Sequence, residues 1–145
     1  MIINFTRKNS LSILSTVFSL FIVLTFSSCA RKLTFGVSPV VPAATGSVKI
    51  KKVDNGDYHI TVKVMNLAPA NRLTPARDVY IVWMESNRNA VKNLGIIKSS
   101  SGLFSNTLKG NLEATVPVKP TSVFITAEDN EYVRYPGNQL VLKTE

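Results

Sequence analysis

Few residues in this chain of 145 could take part in chemistry. There is one cysteine, Cys29, and one histidine, His59, and the densest acidic group is at residues 128–131. A thiol can accept an acyl group, an imidazole can move a proton or bind a metal, and carboxylates can bind calcium or act as acid and base. Which of these reactions the chain performs depends on the neighbours of each residue.

His59 lacks the partners that catalysis or histidine metal binding requires. A catalytic triad or a zinc site needs further ligands or bases at defined geometry, and the sequence contains no second histidine. His59 also falls on the lysine-bearing side of an alternating segment. We therefore predict an ordinary surface histidine, with no catalytic residue in the chain.

The acidic group consists of Glu128, Asp129 and Glu131. Three carboxylates in one loop could contact calcium, but a calcium site takes six to eight oxygen ligands, usually in a loop shaped by glycine. Paired carboxylates for sugar hydrolysis would need a cleft. We expect no metal site, no cofactor and no enzymatic activity.

Tyr132 and Tyr135 flank Arg134 in the same polar region. Exposed aromatic and arginine side chains on a loop are typical of recognition surfaces. Tyr132, Arg134 and Tyr135 are therefore the candidate binding surface. Trp83 lies in a doubly apolar run and is predicted to be core; the alternative is an exposed platform for sugars or peptides.

The stretch before Cys29 indicates the use of its thiol. Arg7 and Lys8 precede an apolar run over residues 11–26, and two serines stand just before Cys29. A positive start, an apolar middle and small residues at the exit predict a secretory signal peptide. The run is shorter than the roughly 20 apolar residues of a membrane-spanning helix. An uncleaved anchor helix, or an ordinary signal followed by a free thiol, are the alternatives.

Residues 1–29 resemble a bacterial lipoprotein signal peptide. The sequence Phe26-Ser27-Ser28-Cys29 is similar to the processing box of that family, with phenylalanine where leucine is usual. The resemblance implies that residues 1–28 are removed and that Cys29 receives a diacylglyceryl group and a further acyl chain. Two or three acyl chains hold a protein stably on a membrane. The implied location is the cell envelope, on the periplasmic side because the acidic run that marks surface export in some lipoproteins does not follow Cys29.

Removal of residues 1–28 would leave 117 residues, enough for one domain with a core. The net charge of +8 would fall to +6, because Arg7 and Lys8 leave with the signal. For an exported protein, an anionic membrane surface or an acidic glycan is a more available partner than nucleic acid. Most of the positive charges are scattered singly, which favours a solvated sheet face. With Cys29 lipidated, no disulfide can form within the chain.

Residues 29–46 are predicted to be the lipidated N-terminus and a flexible tether. The segment contains two prolines, several small residues and no periodic pattern, which favours an extended spacer. The folded domain is predicted over residues 47–145.

From Ser47 the hydrophobic pattern has a period of two, which is typical of strands. Asn55-Gly56 stands between two such segments and predicts a hairpin, with its return strand over residues 58–65. Residues 79–84 are apolar on both faces, so we expect this strand to be covered on both sides.

Further strands are predicted at residues 91–98, with a bulge at Gly95, and within 103–116, 122–127 and 139–143; residues 99–102 are predicted to be a flexible loop. No segment after the signal has helical spacing over a useful length. This pattern indicates an all-β fold, an antiparallel β-sandwich (immunoglobulin-like) of about seven strands.

Residues 46–143 also resemble the extracytoplasmic β-sandwich half of anti-sigma-K type membrane proteins. The similarity rests on five short motifs: the apolar-Trp strand at 79–84, Asn93-Leu94-Gly95, Gly110-Asn111-Leu112, the strand 123–128 and Tyr135-Pro136-Gly137. The sigma-binding half and the spanning helix of that family have no counterpart in these motifs. The resemblance therefore implies a fold and a compartment without sigma-factor binding.

Together these patterns predict a lipid-anchored envelope protein that acts as a non-catalytic interaction or structural module, with Cys29 as its lipidation site. Its partners would be the membrane and an envelope protein or glycan. The alternative is a glycan- or peptidoglycan-binding lipoprotein, which the basic charge and the loop of Tyr132 and Tyr135 favour. A small hydrolase is the third possibility, and the residue inventory argues against it.

Overall fold

The computed structural model describes residues 30–87, 91–98, 100–102 and 105–145. The predicted signal peptide and Cys29 lie outside these residues. Within them, nine strands form two antiparallel sheets, which confirms the predicted all-β sandwich, although the prediction was about seven strands. The strands are β1 (Arg31–Thr34), β2 (Thr45–Lys52), β3 (Tyr58–Met65), β4 (Val79–Ser86), β5 (Val91–Ile97), β6 (Ser100–Gly102), β7 (Ser105–Val116), β8 (Pro120–Glu128) and β9 (Leu140–Lys143).

The first sheet has the strand order β1-β2-β3-β7-β6, and the second has the order β5-β4-β8-β9. The predicted hairpin is present as β2 and β3, with Lys52 paired with Tyr58 beside the turn. Gly56 in that turn has a φ of 91°, which glycine adopts without steric cost. A bridge between Phe35 and Thr144 joins the two sheets along one side of the sandwich.

The core lies between the sheets and follows from the alternation of side chains along each strand. The first sheet directs Val48, Ile60 and Val62 inward, and the second directs Val82 and Ile125 against them; all five are fully buried. The side chains between these positions face outward. The inner face of each sheet therefore carries the core. The outer face of the first sheet carries lysines, and the outer face of the second sheet carries a second apolar cluster.

This second cluster lies on the outer face of the second sheet and consists of Ile81, Trp83 and Phe124, with Val133 packed on it. Trp83 is fully buried. Its ring stacks on Phe124, with ring centroids 6.5 Å apart and the planes 17° from parallel. The apolar residues on both faces of β4 are thus covered on both sides, as the sequence predicted, and Trp83 is core rather than an exposed platform.

The segment predicted to be a tether is instead folded. Residues 31–34 form the edge strand β1, paired with β2 from Arg31 opposite Ile50 to Thr34 opposite Ser47. Leu33, Val41 and Ala44 enter the core. Burial of an aliphatic side chain the size of leucine stabilises the folded state by about 1.5–3 kcal/mol. The prediction was wrong because four alternating residues are too few to be recognised as a strand without the neighbouring strand that pairs with them.

Two further boundaries differ from the sequence prediction. The segment predicted to be a flexible loop at 99–102 includes β6, which pairs with β7 from Ser100 opposite Lys109. The one or two short strands predicted within residues 103–116 are the single long strand β7 over residues 105–116, and residues 103–104 lie outside the described part of the chain. The predicted bulge is confirmed: the register of β4 and β5 shifts beside Gly95, whose φ is 129°.

The two ends of the sandwich carry different segments of the chain. We call one the loop end; it carries residues 66–78 and 129–139, which contact one another through Arg77, Gln139 and Pro75, and residues 36–44, which line a groove beside them. The opposite end, the anchor end, carries Ala30 and the hairpin turn at 53–57. The chain enters the fold at the anchor end because β1 begins there and runs toward the loop end.

Candidate binding surface

The structure places Tyr132, Arg134 and Tyr135 together in the connection between β8 and β9, at the loop end. The side chains of Tyr132 and Tyr135 are 83% and 82% exposed, and Arg134 is also exposed. Large aromatic residues with so little burial contribute nothing to the core. They are free to contact a partner.

A buried network holds the start and end of this connection. Trp83 Nε1 donates to Thr126 Oγ1 at 2.8 Å, and the Thr126 hydroxyl donates to Glu128 Oε1. The same oxygen accepts the backbone N–H of Gly137 at 2.7 Å. Glu128 is only 6% exposed, and a carboxylate accepting two such donors makes stronger bonds than a neutral acceptor would. The tryptophan of β4 is thus linked to the far side of the loop.

Gly137 is required at its position by space rather than by backbone angle. A Cβ atom there would lie 2.6 Å from Glu128 Oε2, well inside contact distance. The loop backbone can therefore approach the buried carboxylate only because residue 137 has no side chain.

Arg77 forms hydrogen bonds with residues at both ends of the loop. Its Nη1 lies 2.7 Å from both carboxylate oxygens of Asp129, and its Nε donates to Gln139 Oε1 at 2.7 Å. The Gln139 amide donates in turn to the carbonyl of Pro75 at 3.3 Å. Because Asp129 and Gln139 bracket the connection, Arg77 ties both of its ends to the β3–β4 crossing.

Val133 holds the middle of the connection. It lies between Tyr132 and Arg134 and packs on the cluster of Trp83 and Phe124. The loop therefore lies over the outer face of the second sheet with one apolar side chain inward and the tyrosines outward. A surface held at its start, middle and end loses little conformational entropy when it binds.

Tyr132 also interacts with its neighbour Glu131. The hydrogen bond between the two side chains and the negative charge of Glu131 raise the pKa of the Tyr132 phenol. With its O–H directed to Glu131, the phenol oxygen can still accept a hydrogen bond from a ligand.

The three carboxylates of the acidic group have separate surroundings. Glu128 ends β8 and is buried in the tryptophan network, Asp129 pairs with Arg77, and Glu131 is exposed beside Tyr132. The sequence placed Glu128 in a polar loop, and that placement was wrong because alternation along β8 carries it beneath the returning chain. Across the described residues, His, Cys, Asp and Glu form no group of three with metal-binding geometry.

His59 lies on the outward face of β3. Its Nδ1 is 3.3 Å from Thr115 Oγ1 and its Nε2 is 3.9 Å from Glu113. These are partners on the neighbouring strand β7, in a partly exposed position, and they resemble the contacts of an ordinary cross-strand pair.

Sequence reasoning found the exposed residues of the loop but missed those that hold it. Neither Arg77 nor Gly137 is among the candidate residues that the sequence indicated. A groove beside the loop was also missed; it is lined by Pro39 and Val40 from the first loop, Pro75 from the crossing, and Leu140. These residues are far apart in the sequence, so only the fold brings them together.

Cys29 precedes the first described residue, Ala30, and its lipidation stays a prediction. No helix in the described part of the chain has the length and apolar character needed to cross a bilayer.

The fold and this surface define a two-sheet antiparallel β module with a rigid aromatic loop. Comparison of the chain with protein-family models, with curated proteins and with solved structures found no match. The resemblances to lipoprotein signal peptides and to anti-sigma-K type proteins therefore rest on the sequence motifs alone.

Proposed function

We propose that this protein is a lipid-anchored module of the bacterial cell envelope that binds an envelope partner without catalysis. The signal-like residues 1–28 would direct export, Cys29 would carry the lipid, and the loop of Tyr132, Arg134 and Tyr135 would contact the partner. The membrane side proposed is the periplasmic one.

The observation that carries the proposal is the construction of the loop. The loop with the two exposed tyrosines is held by the buried carboxylate of Glu128, by Arg77 and by the apolar side chain of Val133. Such a framework is far more than a solvated turn requires, and rigid tyrosines give large contact area at low entropic cost. The exposed residues therefore support a role in recognition.

The placement of the loop relative to the anchor supports the same proposal. The chain enters the sandwich through β1 at the anchor end, whereas the loop lies at the opposite end. A lipid on Cys29 would consequently leave Tyr132 and Tyr135 on the side away from the attachment point. A binding surface in that position is accessible to partners beyond the bilayer surface.

Site-specific photo-crosslinking in intact cells tests the proposed function. A photoreactive amino acid at position 132 or 135 should yield a discrete adduct with an envelope component, because these side chains project toward the partner. The same amino acid at Asn55, which is exposed in the hairpin turn at the anchor end, is the control. Adducts that are the same at all three positions, or absent from positions 132 and 135, would refute the surface.

A glycan is the second candidate partner. Two exposed tyrosines with an arginine between them offer aromatic faces for sugar rings and a cation for acidic groups. Cosedimentation of the protein with purified cell wall should fall on Tyr135→Ala and should be unchanged by Asn138→Ala, an exposed neighbour. Equal sedimentation of the two variants would exclude this surface as the glycan site.

A further inference from the structure

The outer face of the first sheet gathers lysines that are scattered in the sequence. Inward-pointing Leu33, Val48, Val62 and their neighbours force the alternate residues outward. The result is a single exposed face of five lysines, which we call the lysine face: Lys32, Lys49, Lys51, Lys63 and Lys109.

The strand register brings these charges close together. Lys32 of β1 stands directly opposite Lys49 of β2, and residues paired in this way have Cβ atoms about 4.5–5.5 Å apart. Lys63 is opposite Ser47 on one side and Asn111 on the other, so its cross-strand neighbours are neutral. Like charges directly opposite one another destabilise a sheet, and an anionic ligand would remove that cost.

Compensating negative charge on the lysine face is sparse. Among the described side chains on the strands of the first sheet, Glu113 of β7 is the only acidic one. Its Oε2 lies 3.9 Å from Nε2 of His59. The ion pairs of the described residues join His59 with Glu113, Arg77 with Asp129 and Lys143 with Glu85. None of the five lysines is among them. The face therefore presents its positive charge to the surroundings.

The proposed lipid would lie next to this face. β1 is the edge strand of the first sheet and begins at Arg31, two residues after Cys29. Two residues span at most about 7 Å, so acyl chains on Cys29 would hold the edge of the lysine face at the bilayer. Within the described residues no spacer precedes the fold.

Charge decides between the two orientations that so short a link permits. Standing on the anchor end would bring Asp54 and Asp57 of the hairpin turn to the headgroups together with Lys52 and Lys119, whose charges the two carboxylates offset. Lying on the first sheet would present five lysines against the one carboxylate of Glu113 instead. An anionic bilayer attracts each nearby lysine and repels carboxylates, so the second orientation is favoured.

We propose that the lysine face binds the anionic headgroups of the same bilayer that holds the lipid on Cys29. The inference rests on the proposed lipid anchor and specifies how the domain sits on it. In this orientation the second sheet, with Tyr132 and Tyr135 on the loop over its outer face, is directed away from the membrane.

Thiol protection in the lipidated protein tests this orientation. Full-length protein produced in cells, purified from membranes and reconstituted into vesicles would carry Ser47→Cys, on the lysine face between Thr34 and Lys63. Labelling by a membrane-impermeant maleimide should slow at least about fivefold when phosphatidylglycerol is added to phosphatidylcholine vesicles, since one lysine near an anionic surface corresponds to about a fivefold change in binding. Protection should be lost between ~0.05 M and ~0.5 M salt, as the Debye length shortens. A cysteine at Asn138, at the loop end, should label equally in both vesicles.

Two double variants test whether the protection depends on the lysine face or only on the net positive charge of the protein. Lys49→Gln with Lys63→Gln should abolish most of the protection of Cys at position 47. Lys98→Gln with Lys119→Gln removes the same charge from exposed positions outside the face and should leave protection intact. Equal loss in both double variants would overturn the proposal.

Remaining outcomes distinguish this inference from the anchor on which it rests. The protein without an added cysteine should take up no label, because lipid occupies its only thiol; labelling of Cys29 would refute the anchor and the orientation together. If the parent protein stays unlabelled and the cysteine at position 47 is labelled at the same rate in both vesicle types, the orientation alone is refuted. Protection by soluble dextran sulfate but not by phosphatidylglycerol would overturn the lipid surface in favour of a polyanionic glycan.

Discussion

Replacement of Trp83 by alanine is the sharpest test of the arrangement on the outer face of the second sheet. Trp83 is fully buried, stacks on Phe124 and donates its Nε1–H to Thr126. Truncation of a buried tryptophan to alanine costs about 3–5 kcal/mol, because contacts are lost and a cavity remains. The total stability of a domain is about 5–15 kcal/mol, so the variant should lose a large fraction of it.

Urea unfolding of residues 30–145 measures this loss. The transition should be followed by far-ultraviolet circular dichroism, since Trp83 is the only tryptophan in the chain. With a denaturant slope of about 2 kcal/mol/M, a loss of about 4 kcal/mol would lower the midpoint by roughly 2 M.

The variant Trp83→Phe separates packing from hydrogen bonding. It keeps a ring against Phe124 but removes the donor to Thr126, whose hydroxyl still donates to Glu128. We therefore expect a loss of about 1–2 kcal/mol, clearly less than for alanine. A Trp83→Ala protein within about 1 kcal/mol of the parent would mean that the indole is exposed and would refute the position of the loop over the sheet.

Three further predictions concern the loop, the core and the anchor. Gly137→Ala would place its Cβ 2.6 Å from Glu128 Oε2 and should destabilise the domain by about 1–3 kcal/mol, whereas Asn138→Ala should change stability by less than about 0.5 kcal/mol; identical thermal melting of the two would contradict the close approach. Burial raises the pKa of Tyr80 from 10.0 to about 12. The unfolded chain therefore loses its phenolic proton first, and stability should fall as pH rises from 10 toward 12, at up to about 1.4 kcal/mol per pH unit; Tyr80→Phe should flatten this slope, and an unchanged slope would assign it to other groups. Cys29→Ser should abolish incorporation of labelled fatty acid and release the domain from membranes or leave the precursor uncleaved; continued incorporation would rule out Cys29 as the acceptor.

Local patterns predicted the central strands because each carries its own signal. Asn55-Gly56 marks the hairpin, since both residues tolerate positive φ. The doubly apolar run at 79–84 indicated a strand covered on both faces, and the structure confirms it with the inter-sheet core on one side and the loop on the other. In these segments the residues that determine the structure are neighbours in the chain.

The edge strands and the supports of the candidate surface could not be predicted in the same way. β1 is four residues long, and its pairing with β2 supplies most of the evidence that it is a strand. Arg77 reaches Asp129 across 52 positions of sequence. Tyr132 and Tyr135 were recognised as candidates from their residue types, but their rigidity depends on partners that no local pattern identifies.

The sequence by itself determined an all-β chain with a central hairpin, a doubly buried strand, an exposed tyrosine pair and a signal-like stretch ending in a single thiol. These features follow from side-chain alternation, turn chemistry and composition, which act between near neighbours. Only the tertiary structure decided that residues 31–44 belong to the domain, that Glu128 is buried beneath the loop, and that five separate lysines share one face. Those outcomes depend on strand pairing and register, which place residues distant in the chain side by side.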